Sequence, residues 1–284
     1  MRNHSDLFQR YSVRAKKALG QNFLVDENIL HHIATATTVE WKNIIEVGPG
    51  YGALTEKLLS QNPRNLTLIE LDADMVRIIE ERIANHELRI SPETDFSLHQ
   101  IDVLKFEPTY GPNETYQIIA NIPYYITSPI LFHFLYETAC APKEMIILLQ
   151  RDVGDKIRKT KGNTASVLSL FIDFACERVE EVCVVWAACF IPAPKVESAV
   201  LRFIVRSEYD REEAKKILKI IKIGFVERRK KLLSNLEKGL KIEKNTLREI
   251  FTELGLGENT RAEELDVNGW KKIKKLLTKN NLFS

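Results

Sequence analysis

A chain of 284 residues with 44% apolar and 28% charged side chains has enough material for one large domain and a smaller one, in the ordinary composition range of soluble globular proteins. No run approaches the roughly 20 apolar residues of a membrane helix; the longest candidate, 182–191, stops at Pro192, and the polar opening over residues 1–6 does not read as a secretory signal. The net charge of +2 hides an asymmetry: from Arg211 onward 19 Lys/Arg stand against 11 Asp/Glu, leaving +8, while the first 210 residues carry −6, so the tail is suited to a polyanionic partner.

Short apolar runs alternate with longer segments of helical period, the pattern of a mostly parallel sheet with crossover helices. Residues 43–47 predict a buried first strand ending at Gly48, and a helix over 53–60 follows with Leu54, Leu58 and Leu59 at helical spacing. A second strand, 66–69, ends at Glu70, and Asp72 is placed to cap a helix carrying Met75, Ile78, Ile79 and Ile83. Strands over 96–101 and 116–120 end at Asp102 and Asn121, and 145–149 reads as a fifth. A helix over 164–175 precedes two β-rich runs, 181–186 and 199–205, which a Pro-punctuated turn separates and which suit a hairpin-like pair. Beyond Ser207, Lys/Glu/Leu/Ile-rich helical patterns take over, broken near Gly239, Gly255-Leu256-Gly257 and Gly269. The expectation is an α/β chain: a doubly wound, Rossmann-like sheet domain over 1–206 and a small all-α domain over 207–284.

Glu46-Val47-Gly48-Pro49-Gly50-Tyr51-Gly52-Ala53 is a glycine-rich turn between strand and helix. Its G-x-G-x-x-A spacing, with Glu70 about 20 residues on, also fits a dinucleotide fingerprint, so a nicotinamide oxidoreductase is a rival reading. Glu46, Pro49 and the additional Gly52 fit better the methyltransferase form E-x-G-x-G, in which no pyrophosphate is cradled. In an open α/β sheet ligands lie across the carboxyl ends of the strands, and Gly48, Glu70, Asp102 and Asn121 are all assigned there. S-adenosylmethionine matches that set: bare backbone at Gly48 beside its amino-acid part, Glu70 accepting from both ribose hydroxyls, Asp102 accepting from the adenine amino group. A solvated strand end explains any one acid alone; four at successive ends are not explained that way.

Asn121-Ile122-Pro123-Tyr124 resembles the N/D-P-P-Y/F-type motif of amino-group methyltransferases, in its N-I/L-P-Y rRNA form. An exocyclic adenine nitrogen is a poor nucleophile because its lone pair is delocalised into the ring. The Asn121 side-chain oxygen and the Ile122 carbonyl are suited to accept its two N–H groups, Pro123 to stiffen the backbone between them, and Tyr124 to stack on the base. As a lone tetrapeptide the string is an ordinary turn, but Gly20-Gln21-Asn22-Phe23-Leu24 precedes it and Phe190-Ile191-Pro192-Ala193-Pro194-Lys195-Val196-Glu197-Ser198 follows. With these motifs in order, the chain resembles the small-subunit rRNA adenine N6-dimethyltransferase family from about Lys16 to Arg202, with weaker matches at residues 225–230 and 261–263.

The resemblance implies that Asn22 and Leu24 join Gly48, Glu70, Asp102 and Asn121 in holding S-adenosylmethionine, and that Phe190 stacks on the target adenine opposite Tyr124. It implies dimethylation of two adjacent adenosines in the 3′-terminal hairpin of small-subunit (16S) rRNA within an assembling ribosomal subunit, by a cytoplasmic monomer with no membrane association. Tyr125, where many bacterial members have Asn, and Gln150-Arg151-Asp152 depart from the family pattern without removing an assigned group. Arg14, Lys16 and Lys17 beside the first motif, and Arg228, Arg229 and Lys230 in the tail, are the expected phosphate contacts, which position RNA while base flipping selects the target. His31-His32 has no metal partners at suitable spacing, so no metal is expected, and the cysteines (Cys140, Cys176, Cys183, Cys189) form no C-x-x-C pair and read as small core residues. Two further readings stay open: a large-subunit rRNA adenine dimethyltransferase with the same core motifs, and a non-catalytic RNA-binding assembly factor of the same fold.

Overall fold

The computed structural model describes residues 4–111, 114–160 and 162–283. The N-terminal reading at 1–6 and the ends of both expected domains therefore fall partly outside the described residues. Two compact units emerge: residues 1–154 with 178–205, and residues 155–177 with 206–284.

The first unit is organised by a seven-stranded sheet. Its strands are β2 (Asn43–Val47), β3 (Asn65–Glu70), β4 (Asp95–Gln100), β5 (Tyr116–Asn121), β6 (Glu144–Gln150), β7 (Cys176–Val185) and β9 (Ser198–Val205), in the order β4-β3-β2-β5-β6-β9-β7. The five strands from β4 to β6 run parallel and β9 is antiparallel to β6. From β2 the chain moves outward through β3 to β4, then returns to the other side of β2 for β5 and β6. The crevice lies where that order reverses, at the carboxyl ends of β2 and β5. A separate two-stranded ribbon pairs β1 (Phe23–Leu24) with β8 (Phe190–Ile191), setting Leu24 opposite Phe190.

The central strands sit where they are expected because every residue of β2 is buried, and a strand covered on both faces reads as a mainly apolar run without alternation, here Ile44, Ile45 and Val47. Asp72 caps α4 (Ala73–Ala84) as predicted, its side chain accepting the Asp74 N–H. The expected pair of late strands are neighbours in the sheet, but β7 begins at Cys176, earlier than the expected 181, and ends before Trp186, which is exposed. The helical segment before it, α7 (Val167–Ala175), starts at a Ser166–Ser169 capping box.

In the second unit α7 packs with α8 (Arg211–Gly224) and α11 (Val267–Lys279), and α9 (Leu232–Leu240) with α8 and α10 (Lys244–Glu253). A division at 206/207 thus leaves out residues 155–177, whose helix is covered by tail helices. The breaks expected near Gly239 and Gly269 fall within three residues of them, where α9 ends at Leu240 and α11 begins at Val267. Gly239 lies inside α9 and Gly269 in the first turn of α11. Gly239 is there for close packing, since a Cβ on it would stand 2.2 Å from Ile223 Cγ2. Trp270, fully buried, anchors this core against Gly224, and Asn235 donates to the Gly224 carbonyl at 2.6 Å.

Among the described residues no helix is long and apolar enough to cross a membrane, no group of three or more His, Cys, Asp or Glu is arranged to hold a metal, and the four cysteines form no disulfide.

Candidate functional site

Register alone assembles the crevice. Val47 stands opposite Ile69 on one side and Ala120 on the other, so the next residues, Gly48, Glu70 and Asn121, leave three adjacent parallel strands at one level. Glu70 is opposite Gln100, which brings Asp102 to the same edge two residues later. One cavity is lined by all ten sequence-assigned cofactor and catalytic positions: Asn22, Leu24, Gly48, Glu70, Asp102, Asn121, Ile122, Pro123, Tyr124 and Phe190.

Gly48 has φ of +68°, and a Cβ on it would lie 3.4 Å from the Asn121 carbonyl oxygen, so the glycine-rich turn and the Asn121 motif meet through bare backbone. The Asn121 side chain makes no hydrogen bond to another described residue and is free to face a ligand in the cavity. Tyr124 is half-buried, and its hydroxyl shares a 2.7 Å hydrogen bond with the Ser198 Oγ, which fixes the ring. Burial raises the Tyr124 pKa, against the opposing effect of Ser198. Ser198 closes the downstream motif, and this bond is its physical role there. Phe190 is buried in the cavity wall.

Three acids line the polar wall. Glu70 accepts the Leu71 and Asp72 N–H groups at Oε1, both at 2.8 Å, and the Gly50 N–H at Oε2 at 3.1 Å. Burial raises its pKa while those donors oppose the rise. A carboxylate has about four acceptor sites; with three occupied, Glu70 offers one, on Oε2. Backbone donors fill Oε1, so the acceptor capacity left for the expected ribose contact lies on Oε2. Glu46 is buried deeper: Oε2 accepts the Thr55 hydroxyl at 2.8 Å, Oε1 has no partner, and burial drives its pKa to about 8. Asp102 accepts the Leu104 N–H at 3.0 Å and is only partly buried, leaving acceptor capacity at the cavity. Bare backbone, a free amide and an orphaned carboxyl oxygen together fit a ligand that is cationic at one end and rich in hydroxyl and amine donors, as S-adenosylmethionine is.

Sequence reading missed the groups that brace this wall. Arg82 is fully buried and donates to the Tyr51 carbonyl at 2.6 Å and to Glu56 at 2.9 Å, with Glu87 at 3.3 Å. Gly52 makes room for it, since a Cβ there would lie 3.2 Å from its Nη1. Tyr51 in turn donates to the Leu24 carbonyl at 3.0 Å. The upstream motif is latched by Asp72, which receives Lys16 at 2.6 Å and Gln21 at 2.8 Å. Burial works to raise the Asp72 pKa, but the bonds from Lys16 and Gln21 outweigh it and hold the group below its ordinary value.

The expected phosphate contacts separate accordingly. Arg14 and Lys17 are exposed. Lys16 also pairs with Asp74 at 2.6 Å, so it is committed to the latch. In the second unit Arg228 and Arg229 are exposed, while Lys230 pairs with Glu227 at 2.5 Å.

A family model described as ribosomal RNA adenine dimethylase matches residues 12–279. Proteins named ribosomal RNA small subunit methyltransferase A are similar over nearly the whole chain. That of Clostridium acetobutylicum is 33% identical, over 95% of this chain and 96% of its own, and that of Bacillus cytotoxicus 31%, over 98% and 96%. Among solved structures, a dimethyladenosine transferase from Plasmodium falciparum superposes with a TM-score of 0.71 at 22% identity, covering 92% of this chain and 99% of its own. The 23S rRNA methyltransferase ErmE gives 0.66 at 23%, covering 90% and 100%; both support the fold. With a match from residue 12 to residue 279 and relatives above 30% identity along almost its entire length, the chain belongs to the ribosomal RNA adenine dimethylase family.

Proposed function

We propose that the chain transfers methyl groups from S-adenosylmethionine to the N6 amino groups of two adjacent adenosines in the 3′-terminal hairpin of small-subunit rRNA, acting as a cytoplasmic monomer on an assembling subunit. The observation that carries this is the meeting of Asn121 with Gly48 and Glu70 in one cavity, the Asn121 amide being free of protein partners. The choice of the small subunit follows the names of relatives similar over nearly the whole chain, including that of Dehalococcoides mccartyi at 32% identity.

The residues have the following roles in this reading. Gly48, Asp102, Asn22, Leu24 and the remaining acceptor of Glu70 hold the cofactor, which when bound supplies a methyl group on a sulfonium, a good leaving arrangement. The Asn121 side-chain oxygen and the Ile122 carbonyl accept the two N–H groups of the adenine amine and aim its lone pair at the methyl. Pro123 stiffens the backbone that presents them, and Tyr124, held by Ser198, and Phe190 grip the base between them. Arg14, Lys17, Arg228 and Arg229 contact phosphates. No strong general base is needed, so acceleration rests on positioning.

Methylation of undermodified small subunits, followed by mass spectrometry of the rRNA, tests the assignment. Asn121→Ala is expected to abolish transfer with the circular-dichroism spectrum and cofactor titration retained in large part; sustained turnover overturns its role. Glu70→Ala is expected to raise the cofactor dissociation constant, and an unchanged titration overturns the ribose contact. Methylation of large subunits instead of small ones redirects the substrate, and a wild-type chain that binds RNA but transfers nothing identifies the non-catalytic assembly factor.

A further inference from the structure

The residue after the catalytic motif is a second aromatic that the reaction as described does not use. Tyr124 is half-buried and tied to Ser198, whereas Tyr125 is 63% exposed yet lines the same cavity. It is backed on one side: a Cβ on Gly20 would stand 3.2 Å from Tyr125 Cε1 and 3.3 Å from Cδ1. Gly20, with φ of +63°, closes the 3-10 turn Lys17–Leu19, and its lack of a side chain lets the ring lie against the turn.

Exposed apolar side chains scattered singly require no explanation. Here they gather at one mouth: Leu71, 52% exposed, and Tyr125 line the cavity, and Ile191, 41% exposed, directly follows Phe190 in its wall. The turn beneath Tyr125 also carries Lys17, which is exposed and pairs with no acid among the described residues, in contrast to Lys16, held by Asp72 and Asp74. An open ring over a turn that carries an exposed lysine is the chemistry of a stacked base and its phosphate.

We propose that Tyr125, backed by Gly20, is a stacking platform for the nucleobase flanking the target adenine, with Lys17 contacting the adjoining phosphate. This rests on the reading of the cavity as a site of adenine methylation in RNA. Lifting an adenine from its helix leaves its neighbour without a stacking partner, and an aromatic face at the pocket mouth restores one. The interaction is with a π face, so it tolerates any base and does not depend on the tyrosine hydroxyl.

The test compares wild type with Tyr125→Phe, Tyr125→Leu and Tyr125→Ala. Affinity is read by fluorescence anisotropy of a labelled RNA hairpin with an unpaired adenine pair, turnover by methylation of undermodified small subunits, and cofactor affinity by calorimetry. Leu and Ala are expected to weaken RNA binding and raise its KM about ten-fold, with kcat and cofactor Kd within about two-fold, while Phe matches wild type. Lys17→Ala is expected to lower the salt dependence of binding by about one phosphate contact. Equal affinity across the Tyr125 series overturns the platform, as does a Leu variant equal to Phe or a Tyr125→Ala defect confined to cofactor binding. If wild type transfers no methyl to any RNA, the functional reading fails separately, and the anisotropy series still decides the platform.

Discussion

Glu46 gives the sharpest quantitative test of the cavity wall. Its carboxyl is 1% exposed, has one bond from Thr55 and one orphaned oxygen, and is driven to about 8 by burial, with the Glu70 charge adding to the rise. An acid whose folded pKa lies above its unfolded value keeps a proton in the folded chain that the unfolded chain has already released. Stability is therefore greatest below the unfolded pKa, near 4.5, and is lost as pH rises towards the folded pKa, at up to about 1.4 kcal/mol per pH unit. Across that interval the loss reaches about 4 kcal/mol, a large fraction of the 5–15 kcal/mol that typically holds a domain together. Glu46→Gln has the shape of the neutral acid, keeps an oxygen for Thr55 and cannot ionise. In urea unfolding, the variant is expected to match wild type to within about 1 kcal/mol at pH 5 and to exceed it by about 4 kcal/mol near pH 8. Glu70, also raised, adds a slope of the same sign to both proteins. Asp72, Glu27 and Glu87 are lowered, so the stability they contribute is lost only as pH falls towards acid, below this window. Parallel stability curves for the two proteins between pH 5 and 8 would refute the buried-acid argument.

Three further perturbations probe the bracing. Arg82→Met strips Tyr51, Glu56 and Glu87 of their shared donor and is expected to cost about 3 kcal/mol by chemical denaturation, since one partner of a buried pair is left behind; a loss under 1 kcal/mol contradicts the bracing role. Asp72→Asn removes the charge that holds Lys16 while keeping a capping oxygen for Asp74 N–H, so cofactor affinity should fall several-fold with melting nearly unchanged. An identical calorimetric titration would show that the latch has no bearing on the pocket. Gly224→Ala places a Cβ 2.5 Å from the Trp270 ring and is expected to destabilise the second unit by about 2 kcal/mol, read from tryptophan fluorescence; an unshifted transition would mean that this core can give way.

What sequence could reveal follows from how each signal is encoded. Gly48, Glu70 and Asn121 were legible because buried parallel strands are mainly apolar runs without alternation, and the residue ending each run marks the edge of the sheet. Arg82 was not legible: on an amphipathic helix a charged residue belongs to the solvent face by pattern, and only the space left by Gly52 allows it inside. Lys16 looked like its neighbours Arg14 and Lys17 until Asp72, far along the chain, claimed it. The β1–β8 ribbon has two residues per strand, too few for any period to show, so only the motifs around Phe23 and Phe190 marked it. Residues 155–177 carry a helix whose burial partners lie in the tail, and apolar pattern says that a face is covered without saying by what.

Methyl transfer, as proposed, demands that donor and acceptor be held within about 3–3.5 Å in line, and the first unit brings the residues proposed for the two sides into one cavity. In the proposed reaction Asn121 serves both sides: a Cβ on Gly48, on the cofactor side, would stand 3.4 Å from its carbonyl oxygen, and it lines the cavity with a side chain that bonds to no other described residue. The β1–β8 pairing repeats the device, because Leu24, assigned to the cofactor, is in register with Phe190, assigned to the base. Tyr51 then joins the glycine-rich turn to Leu24, and Ser198 joins the Phe190 loop to Tyr124. Elements assigned to one reactant thus meet elements assigned to the other at two places, the Gly48–Asn121 approach and the β1–β8 pairing. A shift of either is transmitted through hydrogen bonds of about 3 Å, so displacement of any one of these pieces should reduce turnover more than it reduces binding.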